Sequence, residues 1–204
     1  MRLLIVGLVL LLATSLPAHS ANPFFYLGAS AQEQSVRLPD FTTDIALTGY
    51  RDVEFESDSE GSPFRVFVGY QFNNFFAVET SYTEYLTRTY TMKSTDTAGR
   101  VDLNGKSESI SVDVTSVLNV PLSDDFAFRV KLGVAFWQNE ADLLAGTNNT
   151  PLIDPDTDWG TSLLTGLGAS YAINNRIAVM LDWDNRSVFG RNVESTGLSL
   201  AYSF

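Results

Sequence analysis

The sequence predicts an all-β chain, an eight-stranded antiparallel up-and-down barrel that crosses a membrane, and three observations lead there. Apolar side chains recur at every second position over eight separate segments, which is the period of a strand. The connections between those segments alternate long and short. Past the N-terminal segment, no stretch approaches the eighteen or more apolar residues of a spanning helix. A chain that enters lipid without such a helix does so as a closed barrel, because closure gives every backbone N–H and C=O a partner.

The stretch Phe126 to Trp137 sets the pattern. Phe126, Phe128, Val130, Leu132, Val134 and Phe136 fall on one face, and Ala127, Arg129, Lys131, Gly133, Ala135 and Trp137 on the other. Its length exceeds the common strand of about five or six residues. It meets the about nine to eleven that a tilted transmembrane strand needs, with the apolar row toward lipid.

Residues 1–20 read as a signal peptide. Arg2 supplies a positive start, Leu3 to Leu12 is almost wholly apolar, and Pro17-Ala18-His19-Ser20 ends in a small-x-small pattern, so cleavage is expected before Ala21. Residues 21–204 then form one barrel domain. Cleavage removes Arg2 and the only histidine, His19, from a chain of net charge −11 that holds no cysteine. Ser-His and Cys-His catalysis and the usual zinc sites are thereby excluded. No enzyme activity, metal or cofactor is expected, and the acidic balance argues against nucleic acid.

Taken in order, the first strand is Phe24 to Ala31, with Phe25, Leu27, Ala29 and Ala31 opposite Tyr26, Gly28 and Ser30. Residues 34–62 lose the alternation and carry Asp40, Asp44, Asp52, Glu54, Glu56, Asp58 and Glu60, which predicts a long acidic loop. Phe64 to Phe72 and Phe76 to Thr83 form a hairpin about Asn73-Asn74, residues suited to a tight turn. Residues 86–106 are Thr-rich and polar, a second expected loop. The fourth strand, Ser109 to Val120, ends at Pro121 and the turn Ser123-Asp124-Asp125, and Phe126 to Trp137 follows. Residues 139–158, with Glu140, Asp142, Asp154, Asp156 and Asp158, make the third expected loop. Trp159 to Ile173, Ile177 to Asp184 and Gly197 to Phe204 complete the eight strands, the first two joined at Asn174-Asn175.

Long external loops and short periplasmic turns are the arrangement of outer-membrane barrels. An even strand number then puts both termini in the periplasm of a Gram-negative cell. Phe25, Tyr70, Phe72, Phe76, Phe126, Tyr171, Tyr202 and Phe204 gather at the turn ends, as an interfacial aromatic girdle does.

The segments Val68-Gly69-Tyr70-Gln71-Phe72-Asn73, Val120-Pro121-Leu122-Ser123-Asp124-Asp125, Tyr171-Ala172-Ile173 and Leu198-Ser199-Leu200-Ala201-Tyr202-Ser203-Phe204 resemble the transmembrane domain of the OmpA type of small eight-stranded outer-membrane barrels. The resemblance spans residues 24–204. It implies that Leu200, Tyr202 and Phe204 belong to the C-terminal signal read by the barrel insertion machinery. It also implies that Glu79 is the inward glutamate that pairs with luminal bases, Lys131 being one. Met180 and Val117 stand where that family carries its arginine and its fourth-strand lysine, so a different wiring is expected. The chain stops at Phe204, so no wall-binding domain is expected to follow the barrel.

By alternation the lumen receives Arg65, Glu79, Asp113, Arg129, Lys131, Asp182 and Asp184. Eight strands enclose a space just wide enough for side chains to fill, and charges there are costly unless paired. Glu79 and Asp182 are expected to neutralise Arg129 and Lys131 in one network with Arg65 and Asp113. The function expected is a structural or surface-interaction role through the acidic loops, with a small low-conductance porin gated by the ion pairs as the alternative. A monomer meeting lipid and lipopolysaccharide is expected. Asp154-Pro155-Asp156-Thr157-Asp158 opens like a calcium loop but lacks the later glycine and acid, Thr165 standing at the twelfth position.

Overall fold

The computed structural model describes residues 23–36, 51–96, 99–145, 150–188 and 191–204. Residues 1–20, read from the sequence as a signal peptide, and Asp40 and Asp44 lie outside the described residues. The strands are β1 (Phe24–Val36), β2 (Arg51–Glu60), β3 (Phe64–Gln71), β4 (Phe76–Glu84), β5 (Thr87–Asp96), β6 (Gly99–Pro121), β7 (Phe126–Ala145), β8 (Thr150–Ala172), β9 (Ile177–Val188) and β10 (Arg191–Ser203). Eight of them close a ring in the order β1, β3, β4, β6, β7, β8, β9, β10 and back to β1, and every pairing is antiparallel. β2 and β5 are outward continuations of β3 and β4.

Alternation positions the two faces. Leu27, Leu163 and Leu198 are each more than half exposed on the outside, while Ala77 and Val117 on the inside are fully buried. At one end the ring is joined by short turns whose own side chains hold them. Asn73 Oδ1 accepts from the Phe75 and Phe76 amides at 2.9 Å, and Asn174 Oδ1 from those of Arg176 and Ile177 at 2.8 and 3.0 Å. Tyr70 packs between Phe25 and Phe72, at ring separations of 4.6 and 4.7 Å, and Phe72 meets Phe76 at 5.5 Å. These contacts make an aromatic strip across β1, β3 and β4 at the turn end.

The polar stretches differ from expectation. Residues 51–60 and 87–96 are the strands β2 and β5, residues 99–108 continue β6, and residues 139–145 and 150–158 continue β7 and β8. The staves therefore run on past the lipid-facing band as a wall. The apolar alternation is weak there because polar residues dominate these stretches, while the backbone ladder that makes them strands depends on the neighbouring chain rather than on side-chain pattern. Asp154-Pro155-Asp156-Thr157-Asp158 accordingly lies in a strand rather than a loop. Among the described residues no group of three or more acidic or other ligating side chains comes together as a metal site.

β2 is set off from β3 at Gly61, whose φ of 101° is a left-handed value that glycine adopts without strain, and at Pro63. Beside that break, β4 and β5 part at Tyr85-Leu86. Gln32 N donates to Pro63 O at 3.1 Å and Leu86 N to Gln34 Oε1 at 3.2 Å, so β1 closes the gap with a side chain. Beyond it, β2 pairs with β5 alone. β8 pairs with β9 only over Thr165 to Ala172, and β1 beyond Ala31 and β9 beyond Asn185 pair with β10 alone, so among the described residues the wall has four strand edges with a partner on one side only.

Candidate functional site: the luminal charge network

Every charged residue that alternation sends inward is buried, and ion pairs link them. Arg129 Nη2 contacts Glu79 Oε1, and Arg129 Nη1 lies 3.0 Å from Asp182 Oδ2. Lys131 Nζ lies 3.1 Å from Asp182, 3.3 Å from Asp184 and 4.0 Å from Glu79. Arg65 bridges Glu79 at 3.3 Å and Asp184 at 3.0 Å. Asp113 is joined from a direction that alternation over the expected strand missed: Arg186 Nη1 sits 2.6 Å from its Oδ2 and Nη2 reaches Asp184 at 3.5 Å. Glu79, Asp113, Asp182 and Asp184 thus face Arg65, Arg129, Lys131 and Arg186, and the formal charges cancel.

Glycines decide which of these side chains can meet. Arg129 and Lys131 stand on β7 while Asp182 and Asp184 stand on β9, with β8 between them. Neighbouring strands lie about 4.8 Å apart, so the pairs must reach across a whole strand. On β8 the residue between Arg129 and Asp182 is Gly168, and between Lys131 and Asp184 it is Gly166. A Cβ at either glycine would collide with the aspartate carboxylate and the β9 backbone. The same device seats the aromatic side chains, with Gly69 opposite Tyr26, Gly28 opposite Phe67 and Gly160 opposite Trp137.

Hydroxyls complete the network. Tyr26 donates to Glu79 Oε1 at 2.8 Å. Ser81 and Ser111 donate to the two Asp113 oxygens at 3.2 and 2.9 Å, and Arg186 Nη1 donates to Tyr85 Oη at 3.2 Å. The three hydroxyl donors fill carboxylate acceptor sites that the cations leave open, and Tyr85 Oη accepts from the Arg186 guanidinium, partners of the kind that buried charges require.

The ionic layer lies between two apolar ones. Toward the turns, Tyr26, Phe67, Ala77, Val117, Met180 and Ala201 form a buried cluster. Toward the outer wall, Tyr85, Val188 and Val193 form another, with Trp137 packed against it. Below the inner cluster a vestibule of about 390 Å³ opens at the turn end, lined among others by Phe24, Gln71, Asn119, Ala127, Ala178 and Ser203, and reaches Arg129.

Of the residues singled out from the sequence, Glu79, Arg129, Lys131, Asp182, Arg65 and Asp113 all sit in the lumen; the first five share one cluster with Asp184, and Asp113 joins it through Arg186. Leu200, Tyr202 and Phe204 lie on the outer face, exposed, with Tyr202 and Phe204 rings 5.3 Å apart. Met180 and Val117, which stand where the resembled family carries an arginine and a lysine, are part of the inner apolar cluster. Arg186 was legible: continuing the parity of Asp182 and Asp184 by two residues would have placed it inward. The same parity, continued two residues past Thr83 from Glu79 and Ser81, reaches Tyr85, which is buried although it falls in the break between β4 and β5.

A closed antiparallel ring with a lipid-compatible exterior and a filled, charge-balanced interior defines a small transmembrane β-barrel. The chain belongs to the family of outer membrane protein β-barrel domains, whose pattern matches residues 6–204. In fold it is similar to Ail, the attachment invasion locus protein of Yersinia pestis, solved with the heparin analogue sucrose octasulfate. The identity is 13%, the match covers 89% of this chain and 97% of that one, and the TM-score is 0.51. Weaker likenesses are to Neisserial surface protein A (14% identity, 90% of this chain and 100% of that one, TM-score 0.48) and to the N-terminal barrel domain of Pseudomonas aeruginosa OprF (13% identity, 88% and 97%, TM-score 0.46). No curated protein matches the sequence significantly.

Proposed function

We propose that this outer-membrane barrel is a closed structural body that holds an acidic external wall at the cell surface, and that its lumen is a plug rather than a pathway. The observation that carries the reading is the neutral layer of four acids and four bases between two apolar layers. An ion crossing it would have to displace buried partners, each displacement leaving a charge unpaired in a medium of low dielectric. The short turns and both termini face the periplasm, and residues 1–20 are removed on export.

The working surface is then the wall. Glu56, Asp58, Glu60, Glu108 and Glu140 project from its exposed face, with Lys93 and Lys106 as described basic neighbours, each within an ion pair of a glutamate. Such a face meets lipopolysaccharide through bridging divalent cations, or a basic partner directly. Leu200, Tyr202 and Phe204 serve delivery to the insertion machinery.

Planar-bilayer recording of the refolded mature protein, verified as a barrel by heat-modifiable gel mobility, tests the plug. Silence is the expected result. Discrete channels from the folded protein, altered by Glu79→Ala or Lys131→Ala, would replace the plug by the small-porin reading.

A further inference from the structure

The lipid-facing surface is not uniform. On β1 the outward row runs Phe25, Leu27, Ala29, Ala31, so large side chains give way to small ones. Ala29 is flanked in register by Leu200 on β10 and Val66 on β3, and Ala31 by Leu198 and Phe64. Two ridges of larger side chains therefore border a trough. A groove of about 340 Å³ at this place is lined by Leu27, Ala29, Val66, Ile177, Leu200 and Tyr202.

At the turn end of this trough stands Arg176. It lies in the turn before Ile177, is exposed, and its Nη1 donates to Tyr202 Oη at 3.4 Å. Among the described residues it makes no ion pair, whereas Lys93 and Lys106 at the outer wall each have a glutamate. The other short turns, residues 72–75 and 122–125, carry no basic residue, and the latter carries Asp124 and Asp125. Tyrosine here places an apolar ring against the trough and a hydroxyl at the water boundary, the usual disposition at a membrane interface. The guanidinium fork beside it matches a phosphate diester in shape and charge.

We propose that this surface is a binding site for a single anionic phospholipid of the leaflet at the turn end, one acyl chain lying in the Ala29 trough and the phosphate on Arg176. The trough alone would take any apolar chain, and the cation alone any anion. Together, at a spacing fixed by the Ile177–Tyr202 register, they select a molecule that is apolar for most of its length and anionic at one end. That the turn end faces the phospholipid leaflet rests on the orientation proposed above.

The test is native mass spectrometry of the folded mature protein released from nanodiscs of phosphatidylcholine containing a minor fraction of phosphatidylglycerol. Both leaflets of such a disc have the same composition, so the result does not depend on which way the barrel faces in the cell. The parent protein is expected to retain one phosphatidylglycerol well above its share of the disc. Arg176→Gln is expected to lower that retention about fivefold, the worth of one basic residue at a membrane surface, and Arg176→Lys to keep most of it. Ala29→Leu fills the trough without touching the cation and is expected to abolish retention. Both positions lie on the outer surface, and heat-modifiable mobility verifies that each variant is folded. Release of the parent without lipid overturns the proposal, as does unchanged retention in either Arg176→Gln or Ala29→Leu.

Discussion

The membrane ring and the wall that continues it are built largely from the same strands, yet they obey different rules. In the ring each strand has two hydrogen-bonded neighbours, and its side chains divide strictly between lipid and lumen. In the wall, among the described residues, β2 and the outer part of β8 have a neighbour on one side only, and polar residues dominate the sequence. Lipid offers no hydrogen bonds, so the ring must close; water offers them freely, so the wall can remain open. Openness is also what leaves strand edges and carboxylates available, while closure seals the luminal acids and bases into ion pairs with one another.

The largest effect that would break this contrast is expected from Glu79→Ala. Three cations, Arg129, Arg65 and Lys131, lie within 4.0 Å of its carboxylate, and its loss leaves net positive charge sealed in the lumen. A stability loss of about 3–5 kcal/mol is expected, read as a shifted midpoint of urea unfolding in lipid vesicles. Next comes the outside of the same ring. Leu132 faces lipid near the middle of β7 and is more than half exposed, so Leu132→Arg is expected to cost about 2–4 kcal/mol in the same assay. An unchanged midpoint would mean that this face does not meet hydrocarbon.

Gly168→Val probes how the lumen is filled. Its side chain would occupy the space through which Arg129 reaches Asp182, and overpacking of this kind costs about 1–3 kcal/mol. Pairing the change with Asp182→Gly should recover part of the packing loss but not the lost ion pair, which separates volume from charge. The smallest effect belongs to the wall. Lys106 and Glu108 are half-exposed partners at 2.6 Å, and Lys106→Ala is expected to change stability by less than about 1 kcal/mol. A loss there as large as that of Glu79→Ala would show that the wall is as tightly coupled as the ring.

The sequence was most readable where one face of a strand meets lipid. From Phe126 to Phe136 the solvent on either side dictates the side chain, so alternation fixes strand, face and span together. It was least readable at residues 51–60, 87–96 and 150–158, where polar residues dominate and backbone pairing with a neighbour does the ordering. The same limit applied to the lumen. Parity sent Glu79, Arg129, Lys131 and Asp182 inward, and extending it by two residues would have added Arg186.

What the sequence determined by itself, then, was the number of staves, the inward set of charges and the short-turn end, because each follows from a period of two and from local turn chemistry. Which acid meets which base was decided only by the closed structure. Register and strand tilt place Gly166 and Gly168 between β7 and β9, and the absence of two Cβ atoms lets Lys131 reach Asp184 and Arg129 reach Asp182 across an intervening strand. Pairing over such sequence separations depends on ring closure, a property of the whole chain that no local pattern encodes.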